Sequence, residues 1–270
     1  MARYRWAMSE TSAQVAAATS LGSAAPEDPA THAAVHPPAS VVAPSRVKVC
    51  GVTNLDDAEM AAELGAWALG MIFFEASPRS CSRLEAQRIV GALRRKVELC
   101  GVFVNAPLEQ VVQTGEELDL SLLQLHGDEG PAFCAEAARR SGARVIKAAQ
   151  VSGPGDLRDL ERFHVDFHLL DAHARAPERR DLRGGTGETF DWTLLAGRRS
   201  KVPLILSGGL TAENVAEAIT VARPYAVDTA SGTEAAPGRK DEQKLRAFFD
   251  VVERLPERSG SAGAAGGAAA

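Results

Sequence analysis

The chain lacks several signals that would fix a function early. It has four cysteines in 270 residues, and Cys50, Cys81, Cys100 and Cys134 show neither metal-ligand spacing nor a dense disulfide pattern. They read as reduced thiols, which points to a cytoplasmic protein. His168 and His173 have no companion ligands, so no metal is expected. A basic excess is absent too. The net charge is −5, which offers no electrostatic case for nucleic acid or an anionic membrane as partner. No apolar run approaches the roughly 18 residues that span a bilayer. The residues before Val47 contain no uninterrupted apolar stretch of the kind a secretory signal needs.

What is present is an ordinary globular composition, 45% hydrophobic and 24% charged. Its length allows one large domain or two small ones. Residues 1–45 are rich in Ala, Ser, Thr and Pro and hold little to bury, so they read as a disordered extension. Residues 257–270, rich in Gly and Ala, read as a flexible tail. The folded region is expected over 46–256.

Within it the stretch Leu204 to Glu234 sets the pattern. Leu204, Ile205 and Leu206 are a short apolar strand, Gly208 and Gly209 a sharp turn, and Thr211 a cap for a helix with Val215, Ala218, Ile219 and Ala222 at helical spacing. A second strand over 226–230 ends in Ser231 and Gly232. Two successive strand ends thus present small residues and free N–H groups, which suits a phosphate dianion. Six further strand–helix units precede this pair. They start at strands over 46–52, 68–74, 97–104, 120–127, 144–151 and 165–172. Thr53 and Asp56 form a capping-box pattern before the first helix, and Gly142 stops the fourth. A helix is expected around 190–199, and the last over 241–255. Strict alternation implies a parallel sheet. Eight units favour an α/β fold of the closed (βα)8 type, a TIM barrel, over an open doubly wound sheet, although the pattern alone does not separate the two.

In such a barrel the active site lies at the carboxyl ends of the strands. Cys50, Arg79, Asn105, Gln124, His126, Asp171, Ser207 and Ser231 fall there. Cys50 could be merely a small buried hydrophobe, as Cys100 and Cys134 are expected to be. Lys48 shares its strand face, and a buried cation needs a partner, for which Asp228 on strand eight is the candidate. Asp171 follows Leu169 and Leu170. A carboxylate in that position is either a loop cap or a working group, because burying it unpaired is costly. A thiol and a carboxylate across a barrel mouth can serve as base and acid on a bound sugar. Arg79 is either a solvated charge or a fork for a substrate carboxylate. His126 is either a structural hydrogen-bonding group or a substrate contact. Gly185, in GGTG (184–187), lies in a long charged loop that suggests a lid.

Taken together, these motifs resemble the phosphoribosylanthranilate isomerase family. KVCG (48–51), SPR (77–79), GVFVN (101–105), QLHGDE (124–129), LLDA (169–172), GGTG with FDW (184–192), GGL with ENV (208–215) and the RPY, VD and SG elements with Glu234 (223–234) fall in family order. The resemblance covers about 46–256. It implies a (βα)8 barrel that performs an Amadori rearrangement of a phosphorylated small-molecule substrate without metal or cofactor. By the same resemblance, Asp171 matches the general acid, Cys50 the general base, and Arg79 the residue facing the anthranilate. The Gly208–Gly209 and Ser231–Gly232 turns match the phosphate cradle. The sequence departs from the pattern at Ala230, where Ser is usual, and at Glu188, where Lys is common. Monomer and homodimer both stay open. The nearest alternative is a histidine-pathway barrel doing the same rearrangement, but that family carries a carboxylate where Cys50 stands. A non-catalytic barrel would be expected to have lost Cys50 or Asp171. A chain beginning near Ser45 is expected to stay soluble and active; an insoluble or inactive product on purification would show that the extension is needed.

Overall fold

A computed structural model describes residues 46–151, 153–171, 192, 195 and 198–255. The expected extension and tail, the GGTG segment with Gly185 and Glu188, and most of the helix expected at 190–199 lie outside the described residues.

The elements run β1 (Arg46–Cys50), α1 (Leu55–Glu63), β2 (Ala68–Ile72), α2 (Arg83–Leu93), β3 (Glu98–Phe103), α3 (Leu108–Glu117), β4 (Leu122–Leu125), α4 (Pro131–Ser141), β5 (Arg144–Gln150), α5 (Pro154–Leu160) and β6 (Phe167–Asp171). They continue with β7 (Leu204–Ser207), α6 (Val215–Ala222), β8 (Ala226–Thr229), β9 (Glu234–Ala236), β10 (Arg239–Lys240) and α7 (Glu242–Glu253). Strands β1 to β8 pair in parallel and in chain order, and β8 returns to β1, which closes the barrel and removes the open-sheet alternative. The hairpin of β9 and β10, absent from the sequence reading, is inserted between β8 and α7.

The period of two in each strand sorts side chains into two cores. Cys50, Ala68, Cys100, Val102, Leu122, Ile146, Ala148, Leu169, Ile205 and Ala226 fill the barrel interior. Their neighbours Val47, Val49, Leu99, Phe103, Leu123, Leu125, Leu170, Leu206 and Val227 point outward beneath the helices. The amino-terminal end of the barrel is stopped by aromatic rings. Trp67 meets Phe167 and Tyr225 edge-on at 5.5 Å each, and the Arg46 guanidinium lies 4.4 Å from the centre of the Tyr225 ring. The carboxyl-terminal end is left for polar groups.

Two helix starts differ in detail from the capping expected. Asn54, not Thr53, caps α1, its side chain accepting from the Asp57 N–H at 2.9 Å. Thr53 instead donates to the Gly238 carbonyl at 2.5 Å and so ties the first loop to the late hairpin. Thr211 opens a turn ahead of α6 rather than capping it, accepting from the Glu213 N–H at 3.3 Å. Gly142 ends α4 at φ 69°, as its position requires.

Lys48 and Asp228 sit opposite each other in the β1–β8 register, and their side chains meet at 2.7 Å with almost no exposure. Ser207 on β7 donates to the other carboxylate oxygen at 3.0 Å. Burial pulls the Lys48 ammonium down, but the Asp228 carboxylate and the nearby Cys50 and Cys100 thiols outweigh it and hold the ammonium above its ordinary value. Replacing one partner leaves the other charged and alone in the interior. Lys48→Met is expected to lower the unfolding free energy by about 3–5 kcal/mol, read by urea denaturation at neutral pH, and the paired Lys48→Met/Asp228→Leu variant to regain most of that loss.

Candidate active site

Cys50 is the last residue of β1 and Asp171 the last residue of β6, both buried and both on inward-facing positions of their strands. The thiol has room because Gly70 stands opposite it on β2. A Cβ at that glycine would come within 2.8 Å of Cys50 Sγ and 3.2 Å of Lys48 Nζ. Burial pushes the Cys50 thiol up, and Asp228 adds to that. The ammonium groups of Lys48 and Lys240 pull the other way. Cys100, beyond Gly70 on β3, is pushed up to about 12 by burial.

The loop after β4 is held by its own acid. Buried Glu129 accepts from the N–H groups of Asn105 at 2.7 Å and Gly127 at 2.8 Å and from Lys147 Nζ at 3.0 Å. Asn105, taken in sequence as a rim group, is thereby part of this frame, with φ 51° and its carboxamide oxygen on the Asp128 N–H at 2.6 Å. The frame aims His126. Gln124 Nε2 lies 2.8 Å from His126 Nδ1, which leaves the other ring nitrogen, Nε2, turned toward Asp171. That nitrogen stands 3.4 Å from Asp171 Oδ2, close but not aligned as a hydrogen bond. His126 Nε2 and Gln124 Oε1 are buried without a hydrogen-bond partner among the described residues. Polar atoms in that condition at a barrel mouth are what a polyhydroxy ligand would satisfy. A cavity of about 440 Å³ opens beside His126, bounded by Glu129, Lys147, Gln150, Leu160 and Phe163.

Arg79 follows β2 and crosses the Cys50–Gly51 turn. Gly51 has φ 73°, and a Cβ there would lie 2.8 Å from Arg79 Cδ, so glycine both permits the turn and clears the arginine's path. The guanidinium is already engaged: Nε lies 2.9 Å from both Glu234 oxygens and Nη2 is 2.7 Å from one of them. Burial opposes ionisation of Glu234, but Arg79 and Lys240 hold its carboxyl below the ordinary value.

At the ends of β7 and β8 the two small-residue turns lie against each other. Gly208 and Gly209 take φ 96° and 62°. Ser231–Thr233 forms a single 3-10 turn. Thr229 Oγ1 donates to the Leu210 carbonyl at 3.3 Å. The missing side chain of Gly232 lets the second turn rest on that same carbonyl. Asn214 fixes the first turn from below, donating to the Gly209 carbonyl at 2.9 Å and accepting from the Thr211 N–H at 2.9 Å.

Cys50, Arg79, His126, Asp171, Gly208, Gly209, Ser231 and Gly232 thus all lie at the carboxyl-terminal end of one barrel, while Gly185 lies outside the described residues. Sequence reasoning passed over Gly70, the role of Glu234, and Lys240. Glu234 stood in a quoted motif without a role. Gly70 and Lys240 could be found only by knowing which strands become neighbours.

The family model for N-(5'-phosphoribosyl)anthranilate (PRA) isomerase matches residues 47–251. An N-(5'-phosphoribosyl)anthranilate isomerase of Pelobacter propionicus is 44% identical over 214 residues, covering 79% of this chain and 98% of the relative. Two solved structures superpose with a TM-score of 0.66 at 38% identity, each covering 78% of this chain and all of the other. One is a phosphoribosyl anthranilate isomerase in complex with reduced 1-(o-carboxyphenylamino)-1-deoxyribulose 5-phosphate. The other is of monomers generated from the dimeric isomerase of Thermotoga maritima. The chain belongs to the phosphoribosylanthranilate isomerase family, within the (βα)8 barrels.

Gly232→Ala drives a methyl group into the Leu210 backbone, which has no flexible end to yield. It is expected to cost about 1–3 kcal/mol of stability and to raise KM for a phosphorylated substrate while the thiol chemistry of Cys50 is unchanged, as checked by steady-state kinetics beside thermal unfolding.

Proposed function

We propose that Cys50 and Asp171 are the base and acid of an isomerase that converts N-(5-phosphoribosyl)anthranilate into 1-(2-carboxyphenylamino)-1-deoxyribulose 5-phosphate, the third step of tryptophan synthesis from chorismate. The reaction follows from family membership. The roles rest on one observation: a thiol ending β1 and a carboxylate ending β6 face each other across a mouth whose β7 and β8 ends form paired glycine turns.

In this reading the substrate phosphate lies on the Gly208–Gly209 and Ser231–Gly232 turns, where backbone donors suffice and the lack of a hydroxyl at Ala230 matters little. Asp171 delivers a proton to the furanose ring oxygen and the ring opens to a Schiff base. Cys50, as thiolate, then removes the proton from C2, and the resulting enolamine tautomerises to the ketone. No oxidant, metal or cofactor enters the balance, since the protons lost from C2 and its hydroxyl are matched by those gained at C1 and at the former ring oxygen. His126 lies beside Asp171 and is assigned to the sugar or the carboxylate it neighbours. Arg79 faces the anthranilate with whatever donors Glu234 leaves it. Gly185, outside the described residues, is assigned to substrate binding. Four unpaired thiols accord with a cytoplasmic setting.

Generating the substrate in situ and following the decay of its fluorescence tests the reading. Wild type should turn over, and Cys50→Ala and Asp171→Ala should each lose roughly 10²–10⁴-fold in kcat. Turnover persisting in Cys50→Ala would require another base. A silent wild type would overturn the substrate and favour the histidine-pathway compound.

A further inference from the structure

Lys240 is a buried cation that the reaction scheme above does not use. It sits on β10, and its side chain is fully enclosed. Its ammonium donates to the backbone carbonyl of Cys50 at 2.7 Å and to that of Ala230 at 3.2 Å, and lies 3.4 Å from Glu234 Oε1. Its own N–H donates to Asp57 at the start of α1 at 2.8 Å. The hairpin is further fixed by Thr53 on the Gly238 carbonyl. One side chain therefore joins the residue ending β1 to the turn after β8, across the seam that closes the barrel.

Two neutral carbonyls could be bridged by an uncharged donor, which would be far cheaper to bury than an ammonium. The surroundings show what the charge does there. The groups around Cys50 are Lys48 and the Cys50 thiol on β1, Cys100 on β3, Asp228 on β8, Lys240 on β10, and next to these Arg79 and Glu234. Lys48 and Asp228 neutralise each other at 2.7 Å. Glu234 is shared by Arg79 and Lys240, and its shorter contacts, 2.7–2.9 Å, go to Arg79. The cluster thus carries three cations against two carboxylates. Asp57, the next acid out, is held at the amino terminus of α1 by Asn54 and the Lys240 N–H. Lys48 acts on the Cys50 thiol more strongly than Lys240 does, but Asp228 answers its charge, whereas Lys240 lies against the Cys50 backbone with a carboxylate it shares with Arg79.

We propose that Lys240 is a positioning residue for the Cys50 base: it clamps the Cys50 carbonyl to the β8 turn and supplies the positive charge that the thiolate answers, with Glu234 setting how much of that charge is left over. This rests on Cys50 being the base of the reaction. Burial leaves the Lys240 ammonium below and the Cys50 thiol above their ordinary values; against that, Glu234 and Cys50 raise the ammonium and Lys48 and Lys240 lower the thiol. Glu234 thereby couples two site groups, because the carboxylate that orients Arg79 also meters the charge beside Cys50.

The test reads the thiol itself and needs no substrate. The rate of iodoacetamide alkylation at Cys50, followed by peptide mass spectrometry as a function of pH, gives its apparent ionisation midpoint in the wild type and in Lys240→Gln, Lys240→Arg and Glu234→Gln. Lys240→Gln keeps a donor for the carbonyl but removes the charge, so the midpoint should rise by about one pH unit or more. Lys240→Arg should stay near wild type. Glu234→Gln removes the acid that offsets Lys240 and should shift the midpoint down. Opposite shifts from the two neutral amides are the signature, since loosening of a purely structural clamp would move both alike. An unmoved midpoint in Lys240→Gln, or shifts of the same sign, would overturn the proposal. If Lys240→Gln fails to fold, Glu234→Gln decides, a midpoint unchanged or raised sinking the idea. Midpoints that shift as stated while the pH profile of kcat/KM does not follow would leave the positioning intact and remove Cys50 as the base.

Discussion

The structure depends on the closing of the seam between β1 and β8. Parallel pairing there brings Lys48 and Asp228 into register, and the pair is buried so completely that either charge alone would be left uncompensated. Everything at the mouth is placed from that seam. Cys50 is two residues beyond Lys48 on the same face. Ser207 reaches the same carboxylate from β7. The turn that follows Asp228 carries Ser231 and Gly232. An error of one residue in this register would send Lys48 outward and take the thiol out of the barrel with it.

Small residues and charged ones divide the labour around this seam. Gly51, Gly70 and Gly232 each remove a Cβ that would collide with Arg79, with Cys50 or with the Leu210 backbone. The space they leave is what allows a thiol, a guanidinium and two loop backbones to approach closely. The charged groups then hold the arrangement in place. Glu129 fixes the loop after β4, and Glu234 with Lys240 fixes the loop after β1.

Much of this was readable before any coordinates, for physical reasons that also mark where reading stopped. Strand alternation and Gly–Gly turns are local signals, so the β/α order, the rim residues and the likeness to the isomerase family could be recovered from them. The partnership of Lys48 with Asp228 was accessible because a cation on an inward face demands a counter-ion and the strand numbers put the two side by side. Arg79 was expected to greet a substrate carboxylate; in the structure a carboxylate from its own chain already occupies one edge of its guanidinium. Pro237 and Gly238, the latter at φ 77°, are a local turn signal that the sequence reading passed over, but the pairing on either side is too short to announce strands and is held by Thr53 and Asp57. Neither Gly70 nor Lys240 carries a motif of its own. Their meaning is long-range, one being opposite Cys50 on the next strand and the other returning to it from 190 residues away. The choice of Asn54 over Thr53 as cap was equally beyond pattern, because Thr53 is recruited by that distant hairpin.

That separation bears on how the chain comes to be folded as it is made. Lys48 meets Asp228 across 180 residues of sequence. Strand β1 leaves the ribosome first and β8 nearly last, so for most of synthesis β1 offers an unpaired edge and an uncompensated ammonium. Such a ring cannot be completed piecemeal from the amino terminus. Closing the ring therefore carries a loop-closure cost that none of the seven pairings between successive strands has to meet.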